Sequence, residues 1–239
     1  MIKTFWLAIR AVPVTLRITV VSLALALPLG FAMALARIYR VRILGELSAL
    51  YISFIRGTPM VLQILIVYSL LPSLLNAAVK SRGWAVNVFD LNPIIYAYAV
   101  FSLNNAAALA ELIRSGLSAV DKGQHEAALA TGLSPLQSFT RIIIPQALVS
   151  ALPNLCNLTI TLIKNTSLAF IMTVKDITAA AKIEASYGYN YVEAYVDIFI
   201  IYIILCTLVQ WAFHKTEAYF GAYKRPPRRG KLPDLFSRL

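Results

Sequence analysis

The chain has 239 residues, 59% of them hydrophobic and 14% charged, with a formal net charge of +11. A mean hydropathy of +0.71 excludes an ordinary soluble domain and marks an integral membrane protein. The two cysteines, Cys156 and Cys206, have no His or Cys at ligand spacing beside them and indicate neither a disulfide framework nor a zinc site.

The first uncharged run of spanning length is Ile18 to Ala36; a span needs roughly 20 apolar residues, about 17 at the least. Its end, Ala34-Leu35-Ala36, has the look of a signal-peptide cleavage site. Arg37, Arg40 and Arg42 follow at once and resist translocation, so a retained transmembrane helix is expected. The second run, Gly57 to Val79, follows Gly45 to Arg56, and the two predict one long helix broken around Gly57-Thr58-Pro59. There proline removes a helical donor and glycine lets another backbone approach. Interrupted helices at membrane depth usually line a cavity. Arg56 and Gln63 share a face across the break; Arg56 lies about 18 Å along a helix from Leu44, deep for a side chain that only snorkels to the interface.

The third run is Leu91 to Ala110. On the helix it opens, Asn104, Ala108 and Glu111 stand at i, i+4 and i+7 and share one face. Glu111 also has a local explanation, an i,i+3 pair with Arg114. A polar, foldable stretch comes next. Asp121 or Ser118 can cap a helix through Gln124, His125, Glu126, Ala127, Ala128, Leu129 and Ala130; Gly132 stops it, and Ser134-Pro135 starts a second short helix. Two short helices with a glycine corner make a knob that fits a groove on another protein, or else an amphipathic connector at the membrane surface.

In the fourth run, Ile142 to Ile163, the residues Gln146, Ser150, Asn154, Asn157, Thr161, Lys164 and Asn165 fall within roughly 100° of one another on a helix. This polar stripe is either glue between packed helices or the wall of a water-accessible path. The fifth run, Ile198 to Phe213, reaches full length only if Ala194 to Asp197 joins it. Residues 1–221 therefore read as one transmembrane domain, and 222–239 as a basic cytoplasmic tail attracted to anionic headgroups. With five spans and the N-terminus outside, thirteen of the 22 basic residues fall on cytoplasmic segments and seven outside. That bias supports N-outside and C-inside, and its spread along membrane loops argues against nucleic acid as a partner.

Glu126-Ala127-Ala128, then Gly132, then Ile142, Ile144 and Pro145 resemble the EAA motif of bacterial ABC-importer permeases, whose short cytoplasmic helices dock onto ATPase subunits. Phe54-Ile55-Arg56-Gly57-Thr58-Pro59 resembles the FRGTP motif of the polar amino-acid (HisMQ-type) subfamily. Ser102 to Glu111 and Leu162 to Leu168 resemble two further motifs of that subfamily, so the similarity runs through nearly the whole chain in order.

The resemblance implies an all-α membrane protein of about five spans, a type I ABC importer permease in the bacterial plasma (inner) membrane. Its coupling helices would lie at about 120–141. The implied partners are ATP-binding ABC subunits, a second permease subunit (homo- or heterodimeric), an extracytoplasmic substrate-binding protein and the lipid bilayer. The implied substrate-binding residues are Thr58, Asn104, Ala108, Glu111, Lys164, Asn165, Thr166 and Ser167; the implied ATPase-docking residues are Glu126, Ala127, Ala128, Gly132, Ile142, Ile144 and Pro145.

In a zwitterion site Glu111 would meet the ammonium, and Lys164 with Thr166 or Ser167 the carboxylate. Ala108 stands where the subfamily commonly has tyrosine, and Asn165 where aspartate is usual; both argue against a small cationic substrate. Asn165 to Asp176, Lys182 and the Tyr187 to Tyr191 cluster look more like permeases for cystine and related sulfur amino acids.

No covalent chemistry is expected. The chain lacks G-x-x-x-x-G-K-[ST], so ATP would be used by partner subunits and no cofactor bound by this chain. The rival expectation is an ion- or proton-coupled secondary transporter using Glu111, Lys164 and Asp197.

Overall fold

A computed structural model describes residues 2–84 and 86–221; the expected tail, 222–239, lies outside them. Among the described residues the chain is helical throughout. In order come α1 (Ile2–Arg10), α2 (Val12–Ile38), α3 (Arg42–Gly57), α4 (Met60–Ser81), a 3-10 turn at Val88–Asp90, α5 (Ile94–Ser118), α6 (Lys122–Ala130) and α7 (Pro135–Ser138). A π-helical segment at Phe139–Ile143 then leads into α8 (Ile144–Asn165), a 3-10 stretch at Thr166–Met172, α9 (Ile177–Ser186) and α10 (Tyr191–Gly221).

Among the described residues, four segments are long and apolar enough to cross a membrane: Ile2–Ile38, Met60–Ser81, Pro135–Met172 and Tyr191–Phe220. The fifth expected span is α5. It is less apolar because of Asn104, Asn105, Glu111 and Arg114, but it sits at the centre, packed by α2, α3, α4 and α8. Its polar groups therefore meet protein instead of lipid, which is where such groups are tolerated. The outer helices carry the reverse pattern, with Leu25, Leu65, Ile66, Leu70, Phe199 and Ile203 exposed, as a hydrocarbon environment requires.

Close packing at the centre depends on small residues. A Cβ on Gly30 would stand 2.8 Å from Leu109 Cβ and 3.0 Å from Ala106 O, so α2 and α5 cross almost backbone to backbone. Ala26, Ala106, Ala107 and Ala110 continue that seam. Along the other side of α5, Gly116 faces Ala147 and Ala151 of α8. A second core gathers Ala8 of α1, Ile177, Ala181 and Ala185 of α9, and Ala194, Ile201 and Leu205 of α10.

Two elements were not legible in the hydropathy. α1 is a separate amphipathic helix that packs on α9 and α10, with Lys3 bonded to Glu184 at 2.6 Å. α9 is capped by the wholly buried Asp176, whose carboxylate accepts from Ala179 N at 2.9 Å and Thr178 N at 3.2 Å. Tyr202 of α10 donates to the same carboxylate at 3.4 Å. Burial pushes the Asp176 carboxyl up to about 6, and the backbone N–H groups that favour its ionised form offset part of that rise.

Candidate functional site: an interrupted helix, a polar stripe and a two-helix knob

The expected break between α3 and α4 is present. Thr58 (φ −117°, ψ 142°) and Pro59 (φ −62°, ψ 133°) are extended and separate the two helices. The carbonyls this exposes are taken by two side chains: Thr58 Oγ1 donates to Phe54 O at 2.9 Å, and the rest fall to Gln63, a residue outside the motifs. Gln63 Nε2 lies 2.8 Å from Ile55 O, 3.2 Å from Thr58 O and 2.8 Å from Thr58 Oγ1. Its Oε1 accepts from Asn104 Nδ2 at 2.9 Å. Two of the candidate binding residues, Thr58 and Asn104, are thereby joined through Gln63. Tyr51 Oη, donating to Leu103 O at 2.8 Å, fastens α3 to α5 beside them. The signal for Gln63 was in the sequence: an amide one helical turn beyond a proline that leaves carbonyls without donors.

Glu111 is half-buried and engaged on both sides. Arg37 from the end of α2 bonds Oε1, and Arg114 donates to Oε2 at 2.8 and 3.0 Å. Ala108, one turn away, is half-buried. Lys164 stands elsewhere. It is exposed in the last turn of α8 and lines a groove of about 420 Å³ against Tyr202, Cys206, Thr207 and Gln210. Gly116 marks the level at which α5 meets Ala147 and Ala151. From the level of Glu111, Lys164 is therefore about ten residues further along α8, roughly 15 Å at 1.5 Å per residue. The two charges on the α-carbon substituents of one amino acid are far closer than that, so within one subunit Glu111 and Lys164 do not hold them together. Thr166 is fully buried and spends its hydroxyl on Ile163 O at 2.7 Å; Asn165 and Ser167 are half-buried beside it. The groups named for ion coupling sit in three different settings, with Asp197 only 4% exposed near the start of α10.

The polar stripe occupies the uncovered face of α8. Asn154, Asn157, Thr161 and Lys164 are exposed, while Ala147, Ala151, Leu152, Cys156, Leu162 and Ile163 on the other side are buried. Burying an amide in hydrocarbon without a partner costs roughly 4–8 kcal/mol. Two adjacent asparagines on the surface of a membrane-spanning helix therefore do not face lipid chains. Lys164 makes no ion pair among the described residues.

The knob forms as its residues dictate. Asp121 caps α6 by accepting from Gly123 N at 2.7 Å. Leu133 N reaches back to Ala128 O and Gly132 N to Leu129 O, closing the helix with Gly132 at φ +89°, a conformation glycine alone adopts cheaply. Ser134 and Gln137 then make a reciprocal capping box around α7. Glu126, Ala127 and Gly132 are exposed, and Ala128 is buried. Leu136, 72% exposed at the start of α7, and the exposed Leu129 give the knob an apolar tip that the motif did not name. Ile142 and Ile144 are half-buried and Pro145 exposed in the stem leading into α8.

This architecture defines a polytopic helical membrane protein with a broken span, a polar face at membrane depth and an exposed two-helix knob. Residues 26–215 match the family described as the binding-protein-dependent transport system inner membrane component, and the chain belongs to that family. It is a multi-pass inner-membrane transport subunit, not an enzyme.

The chain is similar to the L-cystine transport system permease protein TcyL of Bacillus subtilis (strain 168), 40% identical over 205 residues, covering 86% of this chain and 83% of that protein. It is also similar to the octopine transport system permease protein OccM of Rhizobium radiobacter, 36% identical over 220 residues, covering 88% and 87%. Among solved structures, that of an amino acid ABC transporter with histidines superposes with a TM-score of 0.76 at 28% identity, covering 92% of this chain and 96% of that one. The inward-facing methionine transporter MetNI shares the fold, with a TM-score of 0.67 at 20% identity, covering 90% and 96%. The fold is that of a type I ABC importer permease.

Proposed function

We propose that this chain is the membrane-spanning permease of an ATP-driven importer for a polar amino acid, with cystine or a related sulfur amino acid as the favoured substrate. One observation carries the reading. The α8 stripe is polar, exposed and set at membrane depth, and a second permease subunit laid against it would enclose a wet path. Thr58, Asn104 and Ala108 lie on the broken span and α5, where a substrate entering from that path meets them. Glu111 answers to Arg37 and Arg114 and shapes the inner end. Lys164, Asn165 and Ser167 line the outer end, and Thr166 supports them from behind. The similarity to TcyL, with Ala108 and Asn165 in place of bulkier or acidic groups, favours a neutral zwitterion over a cation.

ATPase subunits would grip the α6–α7 knob through Glu126, Ala127, Ala128 and Gly132, with Leu136 as apolar anchor and Ile142, Ile144 and Pro145 as the stem. An extracytoplasmic binding protein would deliver substrate on the side where α9 lies, with the N-terminus outside and the C-terminus in the cytoplasm. Rocking of the spans would then open the path to each side in turn.

The test of the path is labelling. A cysteine at Asn157, in the assembled transporter, should react with a small hydrophilic thiol reagent and lose that reactivity when substrate is held. Protection in every state, equal to that of the buried Cys156, would show that the stripe is packing. Thiols placed at Thr131 and Ser81 test the topology, the first reactive only from the cytoplasm and the second only from outside. For docking, Leu136→Asp should release the ATPase while the permease still inserts; an intact, fully active complex would refute the anchor.

A further inference from the structure

The knob is tied to the membrane part of the molecule by few contacts. α6 packs on α7 and the π-helical segment, while a cavity of about 520 Å³ separates it from the ends of α2 and α5, walled by Leu35, Tyr39, Leu117, His125 and Phe139. Across the hairpin made by α6, α7 and the π-helical segment run two side-chain links. His125 Nδ1 and the wholly buried Ser138 Oγ share a hydrogen bond at 2.8 Å. Gln146 Nε2, in the first turn of α8, donates to Gln124 Oε1 at 3.3 Å and to Ile142 O, a carbonyl of the π-helical segment, at 3.1 Å. Gln146 is also the first residue of the polar stripe.

The chain reversal at Gly132 alone would let α6 swing into the cavity without moving α8. The Gln124–Gln146 hydrogen bond ties α6 to the root of α8, and the His125–Ser138 hydrogen bond ties α6 to the end of α7 where the π-helical segment begins; together they remove that freedom. π-helical turns inside helices occur frequently at functional sites, and this one lies between the knob and the stripe.

We propose that His125, with Gln146, is a positioning residue for energy coupling: His125 holds α6 to the end of α7 and Gln146 holds it to the root of α8, so that displacement of the knob is passed through the π-helical segment to the helix that carries the polar stripe. The inference rests on α6 being the docking element, as proposed above. A lever held by these links turns ATP use into transport; a lever without them is moved by the ATPase but slips.

The experiment uses the complete transporter, with ATPase subunits and binding protein, in proteoliposomes. Uptake and ATP hydrolysis are measured together for His125→Ala, Ser138→Ala, His125→Asn and Gln146→Leu. Substrate taken up per ATP should fall about fivefold or more in the two alanine variants and in Gln146→Leu, the scale of a modest coupling interaction. ATP hydrolysis stimulated by loaded binding protein should persist. The double variant His125→Ala/Ser138→Ala should be no worse than either single change, and His125→Asn, which keeps a hydrogen-bonding group, should recover part of the ratio.

An unchanged ratio in the alanine variants would overturn the proposal. So would parallel loss of both activities, or failure of both His125→Ala and Ser138→Ala to assemble, because those results describe a structural prop. If Leu136→Asp releases the ATPase while the ratio is unchanged in His125→Ala, the docking reading stands and only the lever fails. If Leu136→Asp leaves the ATPase bound and coupled, the docking reading fails, and the lever with it.

Discussion

Replacing Gln63 with leucine keeps the volume near constant and removes the amide that bridges the α3–α4 break to α5, leaving only the Thr58 hydroxyl, which donates to Phe54 O at 2.9 Å, on the end carbonyls of α3 among the described residues. Its amide nitrogen has two hydrogens for three acceptors, Ile55 O, Thr58 O and Thr58 Oγ1, and its oxygen takes one from Asn104. About three hydrogen bonds are therefore lost, each worth roughly 0.5–1.5 kcal/mol net, and more where a group is left unpaired. The site is half-buried, so water recovers part of this, and a loss of about 1–3 kcal/mol in stability follows.

Gln63→Glu should be worse than Gln63→Leu at neutral pH, because a carboxylate oxygen would replace the donor and face two carbonyls. Thermal unfolding of the purified complex, with uptake measured alongside, checks both. Combining Gln63→Leu with Asn104→Ala should show a coupling of about 1 kcal/mol between the two positions. If Gln63→Leu leaves stability and uptake untouched, or if Gln63→Glu is the milder change, the break is not held by this amide.

Gly30→Val should destabilise the membrane domain by roughly 1–3 kcal/mol or prevent its assembly, since the added carbon meets Leu109 Cβ and Ala106 O at contact distances that force α2 away from α5; the yield of folded protein in detergent reports it. Asp176 has a carboxyl raised from 3.8 to about 6 by burial, so the unfolded chain gives up its proton first. Stability from this group is therefore full below pH 4 and lost as pH rises through 6; Asp176→Asn, which can still cap α9, should flatten that slope in thermal unfolding between pH 4 and 7. Ala108→Tyr should reduce uptake of a long substrate such as cystine more than that of a short polar amino acid, with assembly intact, as competition assays will read.

Much of the fold could be read because hydropathy and charge act over long windows. The uncharged runs fall mostly on α2, α4, α5, α8 and α10, overrunning the starts of α4, α5 and α8 by two or three residues, and the proline at 59 placed the break to the residue. The knob was legible in detail, from the Asp121 cap to the Ser134-Pro135 start, because each piece rests on local backbone chemistry. α1 and α9 were not, since short helices lying on a membrane protein bury alanines on one side and carry no spanning signal. Within the candidate site, periodicity grouped residues on one helix but could not say what stands opposite. Thus Asn104 was placed correctly on a face with Glu111, yet its partner is Gln63 of another helix, and Glu111 answers to Arg37 of a third.

The central claim is that this chain conducts an amino acid under the control of ATP. Reconstituted with its ATPase subunits and loaded binding protein, it should accumulate radiolabelled cystine only when ATP is supplied to the side bearing the α6–α7 knob, and an imposed proton or sodium gradient should not substitute. Uptake driven by such a gradient, without ATPase subunits, would contradict the account.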